Sequence, residues 1–117
     1  MKKIITVDGP AGSGKEKISK YIARKYKLYH IDSGVFYRRL AYELKKNNIK
    51  TTEKQKIKKL IKKIDKLSLR KDNSLRKENI GVYASGIAKY KFVRDFINLQ
   101  QRLATKTLDN KGGFVID

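Results

Sequence analysis

The stretch Ile4-Ile5-Thr6-Val7-Asp8-Gly9-Pro10-Ala11-Gly12-Ser13-Gly14-Lys15 is an apolar strand that breaks into a glycine-rich turn and ends on a lysine, where an amphipathic helix begins. Glycines permit positive φ and close backbone approach. Consecutive N–H groups and the helix N-terminus can then converge on an anion, and the lysine brings a mobile charge to the outer phosphates. The candidate cradle therefore comprises Gly9, Pro10, Ala11, Gly12, Ser13, Gly14, Lys15, Glu16 and Lys17. The pattern G-x-x-x-x-G-K-[ST] ordinarily closes with a hydroxyl that reaches Mg²⁺, but here Glu16 holds that position. Glycine-rich turns also serve purely structural needs; the strand before this one, the helix after it and the return to a second strand favour phosphate binding.

Downstream, Ile18, Tyr21, Ile22 and Tyr26 recur at i, i+3, i+4 and i+8, the apolar stripe of a helix of about three turns. Leu28-Tyr29-His30-Ile31 reads as a second short strand, and Phe36, Leu40, Ala41 and Leu44 mark a helix opened by an Asp32/Ser33 cap. This alternation predicts an α/β fold with parallel strands. From Thr51 to Leu67 the positions Ile57, Leu60, Ile61, Ile64 and Leu67 keep helical spacing, with Thr52 as the expected cap and lysines on the other face. That pattern suits a lysine-coated helix over a small core, and equally a basic membrane or nucleic-acid helix; the first is favoured.

Leu67 to Leu75 is a polar connection with one candidate short strand. Ile80, Tyr83, Ala84 and Ile87 predict the next helix, and Val93, Phe96, Ile97, Gln100, Leu103 and Ala104 another. Lys111-Gly112-Gly113 stops it, and Phe114-Val115-Ile116-Asp117 is an apolar strand ending on a carboxylate. Without repeats, proline-rich linkers or low-complexity tracts, residues 1–117 read as a single domain.

A chain of 117 residues buries roughly two-thirds of its unfolded surface, so the core is modest. No cysteine is present, which removes disulfides and thiolate metal sites and fits a reducing cytoplasm. The single histidine, His30, cannot build a metal site and reads as a packed or partly exposed strand residue rather than a catalytic one, so no protein-held metal cluster is expected. Apolar runs fall far short of the ~20 residues of a membrane span, and Lys2-Lys3 pass directly into strand and loop, so neither a membrane partner nor a signal peptide is expected and a cytoplasmic location is. The net charge of +19 raises the possibility of nucleic-acid binding. Lysine far outnumbers arginine, however, and is spread over nearly every polar helix face. A solvated lysine surface that also steers anionic nucleotides is the favoured account, and nucleic acid the disfavoured partner.

A second constellation lies at the carboxyl end of the second strand, the edge where open α/β sheets bind ligands: Asp32-Ser33-Gly34 followed by Tyr37-Arg38-Arg39. Ser33 can donate to a phosphate or sugar, and Arg38 offers a planar fork suited to phosphate. The alternative is that Asp32 and Ser33 only cap the helix while Arg38 is solvated.

These two groups, followed by Asn79-Ile80-Gly81-Val82-Tyr83-Ala84-Ser85, Val93-Arg94-Asp95, Gln101-Arg102 and Gly112-Gly113-Phe114-Val115-Ile116-Asp117, resemble in order the bacterial cytidylate kinases. The resemblance spans nearly the whole chain and matches the N-terminal half of that family. It implies a P-loop nucleoside monophosphate kinase-like parallel sheet with flanking helices, and phosphoryl transfer from ATP, with Mg²⁺, to CMP or dCMP. By resemblance, Lys15, Arg38 and Arg94 would be the catalytic set. Asp32, Ser33, Tyr37, Arg38, Ser85, Arg94 and Asp117 would bind the acceptor, Ser85 near its base. Asp117 would match the aspartate that opens the family's D-G-R-D motif.

Three departures stand out. The family commonly has Ser-Thr or Gly-Thr after the loop lysine, where this chain has Glu16-Lys17. The nucleotide-binding insert, residues 48–90, looks reduced, above all between Leu67 and Arg76. The arginine-bearing lid and later strands of the family lie beyond Asp117. The family sheet order 2-3-1-4-5 therefore predicts 2-3-1 here, with the phosphate-loop strand at an open edge through which chains could self-associate. The expectation is a partial or weakly active kinase; the alternatives are a non-catalytic nucleotide-binding module and a basic nucleic-acid-binding protein.

Overall fold

The computed structural model describes residues 3–10, 12–70, 73–108 and 112–117. Lys2 and Lys111, which flank the first and last strands in the sequence, lie outside them. Two compact units are present. One comprises the residues up to Ser33 together with those from Gln101 onward, the other Gly34–Gln100.

The first unit carries three parallel strands, β1 (Lys3–Thr6), β2 (Tyr29–Ile31) and β3 (Gly113–Ile116), in the order β1-β3-β2. This is the expected 2-3-1 order, with β1 at an edge. Flanked on both sides, β3 has Phe114 and Val115 fully buried, whereas Ile4 on β1 is 53% exposed. Ile4 and Tyr29 both register with Phe114, and the Tyr29 and Phe114 rings meet edge to face at 6.1 Å.

Helix α1 (Lys15–Tyr26) packs on β3 and β2, but not by the stripe its sequence suggests. Ser19 and Ala23 are buried, while Ile18, Tyr21 and Tyr26 are more than half exposed. Small side chains bring the helix close to the sheet, and the Ser19 hydroxyl donates to the Lys15 carbonyl at 2.7 Å, so its burial leaves no donor unpaired. The exposed rings are covered by cations instead: Lys25 Nζ lies 5.8 Å from the Tyr21 ring and 5.6 Å from that of Tyr26. Lys27, at φ 56°, ends the helix, and Leu28 N–H returns to the Ala23 carbonyl at 2.8 Å.

The second unit holds α2, which begins at Ser33 and runs to Lys46, then α3 (Lys54–Lys62), a 3₁₀ turn (Asn73–Arg76), α4 (Glu78–Ala88) and the first part of α5 (Lys91–Thr107). Helix α3 is shorter at both ends than the periodicity over 51–67 suggests. At its start Glu53, not Thr52, occupies the N-cap position. One Glu53 oxygen accepts the Lys50 N–H at 2.9 Å and the other pairs with Lys56 Nζ at 2.8 Å. The hydrogen bond from Lys56, then that from the Lys50 amide, hold this carboxyl below its ordinary range. At the other end Leu67 is buried in an extended segment, its N–H donating to Gln100 Oε1 at 2.7 Å while Gln100 Nε2 donates to the Asp65 carbonyl at 3.2 Å. A buried glutamine thus satisfies the backbone that the helix would otherwise have paired.

Among the described residues the connection after Leu67 forms the 3₁₀ turn and no strand. Tyr83 and Tyr90 donate from their hydroxyls to the carbonyls of Ile49 (2.6 Å) and Thr51 (2.7 Å), tying α4 and the start of α5 to the segment ahead of α3. No helix among the described residues is long and apolar enough to cross a membrane.

Candidate phosphate and strand-end site

The loop between β1 and α1 is shaped by its glycines. Gly12 (φ 82°) and Gly14 (φ 86°) are left-handed, and a Cβ on Gly9 would fall 2.7 Å from Ser13 Oγ. Ser13 N–H donates to the Pro10 carbonyl at 3.1 Å, drawing the loop back on itself, and Val7 N–H donates to Ile116 O at 2.8 Å, carrying the β1–β3 ladder to the loop mouth. Ala11 lies outside the described residues. Gly14 is the N-cap of α1, and no side chain among the described residues caps it. Lys15 follows, half-buried, and Lys17 is exposed.

Such a cradle fits a polyphosphate. It fits Mg²⁺ less well. Glu16 stands where the pattern calls for a hydroxyl, is more than half exposed, and lies with Oε1 3.1 Å from Lys20 Nζ one turn along the same helix. Among the described residues no cluster of three or more His, Cys, Asp or Glu side chains could hold a metal ion.

At the carboxyl ends of β2 and β3 the first unit brings three side chains together. Ser33 donates to the Asp117 carbonyl through both its amide (3.3 Å) and its hydroxyl, and Asp117 N–H donates to Ile31 O at 3.2 Å. The Ser33 hydroxyl thus joins two strand ends as well as standing at the start of α2. His30 Nε2 lies 2.8 Å from Asp117 Oδ2, with the two side chains only 13% and 3% exposed. His30, expected as a packed or partly exposed strand residue, is a partly buried strand residue that also touches a candidate site residue. Period-two alternation offered a partial signal, because His30 registers with Val115 and Asp117 follows Val115 by two, on the same sheet face. The register itself is a tertiary fact. Asp32 is half-buried beside them.

The remaining candidates belong to the second unit. Tyr37 and Arg38 lie half-buried on α2, Ser85 is exposed on α4, and Arg94 is exposed on α5. Arg94 Nη1 donates to the Ala88 and Lys89 carbonyls at 3.0 and 2.8 Å, a cation closing the C-terminus of α4. Neighbouring Arg39 donates through Nη2 to the Arg70 carbonyl.

Burial raises the Tyr37 phenol above the ordinary tyrosine value, an effect that the nearby Arg94 charge partly offsets. The neutral phenol is thus favoured by folding, and its contribution is complete below the unfolded value of about 10 and lost as pH rises through the folded one. The stability difference between the wild-type chain and Tyr37→Phe should stay constant through neutral pH and narrow only in strong alkali. Urea unfolding of both proteins across that range checks this, and a difference that already changes near neutrality would contradict it.

The sequence matches the family model "Cytidylate kinase" over residues 5–117. Cytidylate kinase of Fusobacterium nucleatum is 37% identical over 111 residues, covering 86% of this chain and 51% of that protein. The Caldicellulosiruptor saccharolyticus cytidylate kinase is 36% identical, with 89% and 53% covered, and that of Bacillus subtilis 32% identical, with 97% and 54% covered. The chain spans about half the length of these relatives. Since the match runs from the second half of β1 through the glycine loop and the strand-end group to the end of β3, the chain belongs to the cytidylate kinase family.

Proposed function

We propose that this chain supplies the phosphate-holding part of an ATP:(d)CMP phosphotransferase. The observation that carries the proposal is the glycine cradle at the uncapped start of α1, which shares one unit with the Ser33–Asp117 junction at the neighbouring strand ends. The loop amides and Lys15 would hold the donor's phosphates. On the family resemblance, Ser33, Arg38 and Arg94 would bind the acceptor monophosphate, and Asp32, Tyr37, Ser85 and Asp117 would also hold the acceptor. ATP supplies the γ-phosphoryl group: an oxygen of the acceptor phosphate forms the new P–O bond as the bond to the β-phosphate oxygen breaks, leaving ADP and the acceptor diphosphate. Such a transfer needs positioning and charge neutralisation more than covalent help, which is what an amide cradle, a lysine and two arginines provide. No step is assigned to Mg²⁺ through the Glu16 position.

The test is ADP release from ATP in the presence of CMP, dCMP or UMP. Turnover with CMP and dCMP above that with UMP is expected. ATP binding with no turnover on any acceptor would replace this proposal with a second one, a non-catalytic nucleotide-binding module, which the Glu16–Lys20 pair at the hydroxyl position favours.

A further inference from the structure

We infer that His30 is a positioning residue for Asp117, fixing the orientation of a buried carboxylate at the ends of β2 and β3, on the side proposed for the acceptor nucleotide; the inference rests on the function proposed above. The backbone of Asp117 is already immobilised, its N–H by Ile31 and its carbonyl by Ser33. What remains free is the side chain, and His30 Nε2 meets its Oδ2 at 2.8 Å. A carboxylate only accepts, so Nε2 carries the proton in this pair. With just 3% of the Asp117 side chain exposed, bulk water does not reach it to replace that donor, and its loss would leave a buried carboxylate oxygen without this partner and free to rotate. Register sets the pair: His30 stands opposite Val115 in the parallel ladder, and Asp117 is the next residue on that face. His30, Ile31 and Ser33 thus form a clamp from one short segment on one residue. Its side-chain arm is the histidine.

Calorimetric titration of the whole chain with CMP and separately with ATP tests this, using wild type, His30→Leu and His30→Gln. Removing the donor should weaken CMP binding by about tenfold, the scale of one hydrogen bond to a charged group, with ATP affinity unchanged. His30→Gln, whose amide keeps a donor, should recover most of the loss. Equal CMP affinity in wild type and His30→Leu, or a parallel loss of CMP and ATP, overturns the positioning role and leaves the proposed function standing. A wild-type chain that does not bind CMP overturns both. Should His30→Leu fail to fold, ¹⁵N NMR of the wild-type ring decides: a proton on Nε2 supports the clamp, and a ring protonated at Nδ1 alone overturns it.

Discussion

Replacing Gly113 with alanine is expected to lower the unfolding free energy by about 3 kcal/mol or more, the largest single-residue effect on stability foreseen in the sheet. Gly113 opens the central strand at φ 111°, a backbone region that side chains disfavour, and a Cβ there would collide with the carbonyl oxygen of Lys3, its register partner on β1. The clash is with backbone, so no rotamer change relieves it. Either β1 detaches or β3 shifts, and a shift also disturbs the pairing of Tyr29 with Phe114 on the other side. Gly81 supplies the contrast. It lies inside α4, where an added Cβ would meet nothing within 4 Å, so alanine there should be neutral or stabilising, by about 0.4–1 kcal/mol. Denaturant unfolding followed by circular dichroism compares the two, and an unchanged midpoint for Gly113→Ala would refute the tight β1–β3 approach.

Glu16→Ser is expected to strengthen binding of Mg²⁺·ATP and to raise any phosphoryl transfer by about 10²-fold, the scale of one preorganised contact to developing charge. The substitution removes a carboxylate beside the proposed phosphate site and places a hydroxyl where the loop pattern has one. Its structural cost is small. The Glu16–Lys20 pair is exposed and spaced i, i+4 on one helix, a class worth roughly 0.3–0.5 kcal/mol, and a first-turn serine remains compatible with the helix. Binding and stability are therefore separable: nucleotide affinity measured with and without Mg²⁺ should rise mainly in its presence, while the melting temperature stays nearly constant. An affinity gain independent of Mg²⁺ would mean that only charge repulsion had been relieved. No gain at all would show that Glu16 is compatible with the bound nucleotide as it stands.

Much of this was legible in local patterns because local physics governs it. Glycines at 9, 12 and 14 followed by a lysine announce a backbone that must take positive φ and approach an anion, and the structure has Gly12 and Gly14 at φ 82° and 86°. The periodicities through Phe36–Leu44, Ile80–Ile87 and Val93–Ala104 became helices with those faces buried, apart from half-buried Tyr83 and Leu103. Where periodicity misled, a tertiary partner had intervened. Leu67 kept helical spacing yet left the helix, because Gln100 took up its amide. The aromatic stripe of α1 stayed exposed because Ser19 and Ala23 allow the closer packing on the sheet.

The candidate site residues divide along the same line. Residue types and their order named the family and pointed to Ser33, Arg38, Arg94 and Asp117, since those identities are written in the chain and need no geometry to be recognised. That Ser33 bonds Asp117 and that His30 joins them depends on residues up to 87 positions apart meeting across a parallel register; Arg94 instead closes the end of α4 through carbonyls only five and six positions away. Parallel strands have no short turn to announce their pairing, so which residue faces which is decided only when β3 inserts between β1 and β2 and desolvates what lies at its end.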